Sequence, residues 1–140
     1  MTVVQIAESL GVAGEEIRSE IDLLDVVERG LPPIAVDAMV HGGMLTADEA
    51  DRLVISRRAL SQRRARGLPL SVDESERLVR VARVHAVALE QFGAADRAAR
   101  WLRKPNRVLD GRVPLDLLVT GEGARLVEDT IMRIAHGIFF

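Results

Sequence analysis

The sequence predicts an all-α protein, on three observations. Apolar residues recur at spacings of three and four rather than two, helix-starting and helix-stopping residues punctuate the chain at short intervals, and β-branched alternation is nearly absent. A chain of 140 residues, 48% hydrophobic and 29% charged, can bury one core, or one core with a small appended module.

The elements follow in order. Ile17, Ile21 and Leu24 set one face of a helix in an acidic opening block, which Gly30-Leu31-Pro32-Pro33 ends. Proline in the first turn opens a helix through Ile34, Ala38 and Val40, closed by Gly42 and Gly43. Thr46-Ala47-Asp48-Glu49 is a capping box, in which hydroxyl and carboxylate each satisfy an orphan amide, so a short helix starts at Ala47 and runs to about Leu53 or Val54. After a tight break Ser56 caps a second short helix through Arg66, ended by Gly67. Two short helices and a tight turn have helix-turn-helix geometry.

Ser71-Val72-Asp73-Glu74 repeats the capping box and launches the longest helix, with Leu78, Ala82, His85, Leu89 and Phe92 on one stripe until Gly93. Ala94 to Lys104 forms another, burying Ala98, Trp101 and Leu102; Pro105 ends it because it lacks an amide and disfavours helix at Lys104. Pro114 starts a short helix, PLDLLV. After Gly121 and Gly123 a last amphipathic helix turns Val127, Ile131 and Ile134 inward and stops at Gly137. GLPLS, Gly67 to Ser71, is the best boundary between a front and a back half that share a core.

Composition excludes several functions. With no cysteine there is no disulfide framework, thiolate nucleophile or cysteine zinc site. No apolar run reaches the ~20 residues of a membrane span, and the opening residues lack the basic start of a signal peptide, so a cytoplasmic protein is expected. His41, His85 and His136 are dispersed, with no ligand at helical spacing, and His85 reads as a core residue. Gly121-Glu122-Gly123 lacks the third glycine and preceding strand of a dinucleotide site and reads as a turn. Glu15, Glu16, Glu20 and Asp22 read as a solvated helix face or an electrostatic partner for a basic surface rather than as metal ligands. No catalytic, metal or cofactor site is expected, and an enzyme acting on nucleotides has no residue constellation behind it.

Charge is uneven. Met1 to Gly30 holds seven acids against two arginines, net -5; Leu31 to Leu70 is net +2 and Ser71 to Phe140 net +1, which together give the chain's -2. Ser56 to Arg66 carries five arginines and no acid. A short arginine-rich helix after a turn suits phosphate contact and major-groove reading, guanidinium pairing with phosphate or guanine and Gln62 with adenine. The candidate DNA-contacting residues are Arg57, Arg58, Ser61, Gln62, Arg63, Arg64 and Arg66. A basic solvated helix or a contact for an acidic protein is the competing reading.

The segment Trp101 to Gly123 is built of punctuation, with Leu109 and Leu115 among its apolar positions: Trp101 and Leu102 anchor a helix whose end Pro105 fixes, Asn106 caps or turns, Gly111 permits a left-handed turn, and Pro114 restarts a helix. Together with Ala99, Leu117, Leu118, Thr120, Gly123, Val127 and Ile134 to Phe139, in that order, these residues make Ser71 to Phe140 resemble the toxin-binding domain of the Xre/MbcA/ParS antitoxins, partners of RES-domain toxins in type II toxin-antitoxin pairs. The resemblance implies a helix-turn-helix-like N-terminal half packed with a C-terminal helical toxin-binding domain. Residues 1–67 would be an acidic helical arm plus the DNA-binding region, and residues 68–140 the toxin-binding domain. It further implies that the toxin consumes NAD or transfers ADP-ribose from it, and that His136, Gly137, Ile138, Phe139 and Phe140 reach the toxin's NAD cleft. Operator DNA and a homodimer within a toxin-antitoxin hetero-oligomer complete the expected partners. The alternative is a stand-alone transcription regulator whose back half only dimerises.

Overall fold

Eight α-helices and two 3-10 helices follow one another in the described residues, and the only extended pairing among them is a single bridge between Asn106 and Arg112. The computed structural model describes residues 2–12 and 17–137. The helices are α1 (Thr2–Ser9), α2 (Glu20–Arg29), α3 (Ile34–His41), α4 (Ala47–Leu53), α5 (Arg57–Arg66), α6 (Val72–Phe92), α7 (Ala95–Arg103) and α8 (Gly121–Ala135), with 3-10 helices at Arg107–Leu109 and Pro114–Val119. None is long and apolar enough to cross a membrane.

The longest helix, α6, is the hub against which α1, α2, α7, α8 and the 3-10 helix Pro114–Val119 pack. Because neighbours surround it, burial is not confined to the predicted stripe. Leu78, Ala82 and His85 are buried, and so are Val79, Val81, Val84, Ala86 and Ala88, whereas Leu89 and Phe92 are only partly covered. One continuous core runs from Ile6 and Leu10 through Leu31, Met39 and Leu53 to Leu102, Leu115 and Leu118. Each such side chain contributes about 1.5 to 3 kcal/mol of transfer free energy.

The helix ends follow local chemistry. Both predicted capping boxes form, with the Thr46 and Ser71 hydroxyls accepting from the amides of Glu49 and Glu74, each at 3.1 Å. Gly67 and Gly93 end α5 and α6 in the left-handed conformation, and Lys104, before Pro105, is extended.

Three expectations about faces are corrected. In α2 the inward residues are Leu23, Val26 and Val27, while Ile21 and Leu24 are 65% and 50% exposed. Ile17 is buried but precedes the helix, because Ser19 accepts from the Asp22 amide and starts α2 at Glu20; spacings of three and four from Leu23 then define the apolar stripe. Trp101 is half-buried rather than buried, its ring tilted against Phe92 at a centroid distance of 5.5 Å. Ile134 is likewise half-buried, whereas Val127, Thr130 and Ile131 face the core. The opening residues also form a helix, α1, absent from the expected elements: Val3, Ile6, Ala7 and Leu10 are buried at helical spacing.

Gly123 is required by close approach. A Cβ built there lies 1.9 Å from the Leu117 carbonyl oxygen, so only a residue without a side chain lets the first turn of α8 pass beneath the 3-10 helix Pro114–Val119.

Candidate functional site

The break between α4 and α5 is closed from inside. The Ile55 amide donates to the Ala50 carbonyl at 3.1 Å and its side chain is buried. Ser56 Oγ accepts from the Ala59 amide at 3.1 Å, and Asp51 Oδ1 accepts from the Arg57 amide at 2.8 Å. The second helix therefore starts at a fixed angle to the first, as a helix-turn-helix needs. It is held lightly along its length: no α5 residue is fully buried, and Ala59 and Leu60 are its half-buried apolar contacts.

Charge supplies the rest of the anchoring. Arg63 Nη2 donates to both carboxylate oxygens of Glu74 at 3.1 and 3.2 Å. Arg64 pairs with Asp37 on α3, and Arg57 with Asp48 on α4. These three of the seven candidate DNA-contacting residues are engaged inside the chain. Arg58, Ser61, Gln62 and Arg66 are exposed and have no partner among the described residues, so they form the outward surface of α5.

Each capping-box glutamate doubles as an arginine receptor. Glu74 takes Arg63, and Glu49 takes Arg103 of α7, whose Nε and Nη2 donate at 3.0 and 2.8 Å. Burial pushes the Glu49 carboxyl up, but Arg103 and the Thr46 amide outweigh it and hold the group below the usual carboxylate range. His85, beside this clasp, is 8% exposed with Nε2 unpartnered. Burial, then the Arg103 charge, lowers it to about 4, so it is neutral near pH 7. Among the described residues no group of three or more His, Asp or Glu side chains is placed to hold a metal ion.

In the back half the punctuated segment is scaffold. Leu102, Leu109, Pro114 and Leu115 are buried. Asn106 is the knot: its Oδ1 accepts from the Val108 amide at 2.9 Å, its amide donates to the Arg112 carbonyl at 3.0 Å, and its carbonyl accepts from the Gly111 amide at 2.8 Å. Asp110 and Gly111 turn the loop with φ of 56° and 77°. Pro105 is exposed beside the knot.

Of the expected docking tail, His136 caps the end of α8 and Gly137 follows in a left-handed conformation, both exposed. Ile138, Phe139 and Phe140 lie outside the described residues. Sequence reasoning missed the Glu49 to Arg103 clasp, whose partners are 54 residues apart.

Comparisons with known proteins add to this geometry. Residues 22–83 match the model of the antitoxin Xre-like helix-turn-helix domain. Residues 88–137 match that of the antitoxin Xre/MbcA/ParS C-terminal toxin-binding domain. The chain is 36% identical over 122 residues to the antitoxin Xre of Pseudomonas putida, covering 87% of this chain and 76% of the relative. It is 34% identical over 115 residues to the antitoxin Xre of Photorhabdus laumondii, covering 81% and 78%. To the Prs ADP-ribosylating antitoxin of a Sphingobium species it is 28% identical over 133 residues, covering 86% and 82%.

Proposed function

The chain belongs to the Xre/MbcA/ParS family of type II antitoxins, and from that premise we propose that it neutralises a RES-domain toxin by occluding its active site and represses its own operon through α5. As an antitoxin it acts by binding a partner, not by turnover. The toxin consumes NAD or transfers ADP-ribose from it; the antitoxin dimerises within a cytoplasmic hetero-oligomer.

The observation that carries the DNA part is the outward face of α5, where Arg58 and Arg66 flank Ser61 and Gln62 on a helix set at a fixed angle by α4. Guanidiniums reach phosphate or guanine, and the amide and hydroxyl read base edges. For the toxin, the segment His136 to Phe140 is the plug: His136 and Gly137, at the end of α8, are exposed, and the two phenylalanine rings that close the segment in sequence can each contribute about 1.5 to 3 kcal/mol on entering an apolar cleft.

Co-expression with the reading frame that neighbours this one, expected to encode a RES-domain toxin, tests the reading. A complex that co-elutes on size exclusion and retards DNA from upstream of the operon supports it. A chain that elutes alone, with the toxin fully active beside it, contradicts it.

A further inference from the structure

The uncommitted cations of this chain are concentrated away from α5. Between Ala95 and Arg112 six bases (Arg97, Arg100, Arg103, Lys104, Arg107, Arg112) face two acids (Asp96, Asp110), net +4 in a chain of net -2. Arg103 is committed to Glu49 and Arg100 to Asp96. Arg97, Lys104, Arg107 and Arg112 are exposed and form no ion pair among the described residues. On α5 only Arg58 and Arg66 are in that state.

Three of these cations share one rigid loop. Lys104, Arg107 and Arg112 sit on the hairpin that Asn106 ties to the Arg112 and Gly111 backbone. The hairpin is clamped to α4 on both sides: Arg103, one residue before Lys104, holds Glu49, and Asp116 accepts from Arg52 Nη1 at 2.7 Å. Arg112 and Asp116 line one crevice, and Arg52, Val119 and Ser56 line the next, so the surface leads from the hairpin across α4 to the start of α5. Of the acids along this path, Asp48 is paired with the Arg57 side chain, Asp116 with Arg52 and Glu122 with Arg125, and Asp51 accepts from the Arg57 amide, while Asp129, in the same crevice as Arg112, forms no ion pair among the described residues. Asp110 is the acid within the hairpin itself.

A helix-turn-helix lays its second helix in the major groove and its first across the sugar-phosphate backbone. The groove is about 12 Å wide and packed helices lie about 8 to 10 Å apart, so a surface one helix beyond α4 falls over the phosphates that flank the groove. Two free arginines on α5 neutralise too few phosphates for firm binding by a chain of net -2.

We propose that Lys104, Arg107 and Arg112 form a second phosphate-contacting surface for duplex DNA, carried by the half of the chain that matches the toxin-binding model. The inference rests on the reading of α5 as the DNA helix. It adds that the back half takes part in DNA binding through cations that read charge and no sequence.

The test uses the full chain, a Lys104→Gln/Arg107→Gln/Arg112→Gln variant and an Arg58→Ala/Arg66→Ala variant. A Lys104→Gln/Arg107→Gln variant spares Arg112, whose backbone closes the hairpin, should the triple change melt lower than the parent. Binding to duplexes of about 30 base pairs, one from upstream of the operon and one unrelated, is followed by anisotropy over a range of salt. Each lost phosphate contact lowers the slope of log K against log salt by about 0.9, so the triple variant is expected to lose about 2 to 3 on both duplexes. An unchanged slope in the hairpin variants with a reduced slope in the α5 variant overturns the inference and leaves the α5 reading intact. The reverse pattern sinks the α5 reading and, with it, the placement of the hairpin over the phosphates beside the α5 groove. Unchanged DNA binding with slower association to the toxin overturns the inference, because the surface then faces an acidic protein.

Discussion

Arg103 of α7 donates through both Nε and Nη2 to the Glu49 carboxylate of α4, at 3.0 and 2.8 Å. The two residues belong to different matched domains, so the clasp joins the helix-turn-helix to the toxin-binding half at the capping box that starts α4. Their side chains are 31% and 12% exposed, so removing the cation strands a mostly buried carboxylate. Arg103→Ala is expected to cost about 2 to 4 kcal/mol in urea unfolding, and Arg103→Lys less, since the ammonium keeps a charge beside the carboxylate although it cannot fill both oxygens in the same geometry. An Arg103→Ala midpoint equal to the parent's would show that the clasp adds nothing.

Stability is expected to fall with acid in a defined window. The folded pKa of His85 is lowered from 6.5 to about 4, so below pH 6.5 the unfolded chain takes up a proton that the folded chain refuses. The loss accumulates between about 6.5 and 4 and reaches about 2 to 3 kcal/mol. Glu49, whose folded pKa lies below its ordinary 4.5, adds a further loss as the pH falls through its folded value. Unfolding of His85→Gln as a function of pH checks the first part: the slope between 6.5 and 4 should be largely gone. A slope equal to the parent's assigns the acid sensitivity elsewhere.

The arginines of α5 are expected to separate by role. Arg58→Ala/Arg66→Ala should weaken binding to upstream DNA and flatten its salt dependence by about 2 in slope, with an unchanged melt. Arg63→Ala, which leaves Glu74 without its arginine, should lower the melting temperature. Thermal melts and anisotropy titrations of the two variants give the comparison, and the opposite assignment would reverse the face that α5 presents.

Two glycines of one helix should respond oppositely to alanine. At Gly121 a Cβ meets only Arg80 Nη2, at 3.9 Å, whereas at Gly123 it lands on the Leu117 carbonyl. Gly121→Ala is expected to be neutral or to stabilise by up to about 1 kcal/mol, and Gly123→Ala to destabilise in spite of its helical propensity. Similar melts for the two variants would mean that the 3-10 helix Pro114–Val119 gives way.

Much of the fold was legible because its signals are local. The Thr46 and Ser71 boxes, Pro105 before an extended Lys104 and the left-handed Gly67 and Gly93 all act within a few residues of themselves. What depends on distant neighbours was not legible. The half-burial of Trp101 is decided by packing against Phe92. Five arginines in an eleven-residue run look alike in sequence, yet Glu74, Asp37 and Asp48 divide them. The basic hairpin was hidden by averaging, since Ser71 to Phe140 as a block is only +1. The burial of Val3, Ile6, Ala7 and Leu10 follows a helical spacing that is present in the sequence but short, ending at Gly11 before most of the acidic residues of the same block.

We propose that an NAD-consuming toxin is neutralised through the segment that follows α8 in the sequence. The direct measurement is cellular NAD in cells expressing the RES-domain toxin with either the full chain or a chain ending at His136, at matched antitoxin levels. The account predicts that NAD is preserved by the full chain and lost with the truncated one, whose melt and DNA binding stay those of the parent. Preserved NAD with the truncated chain would contradict it and move inhibition to another surface of the toxin-binding half.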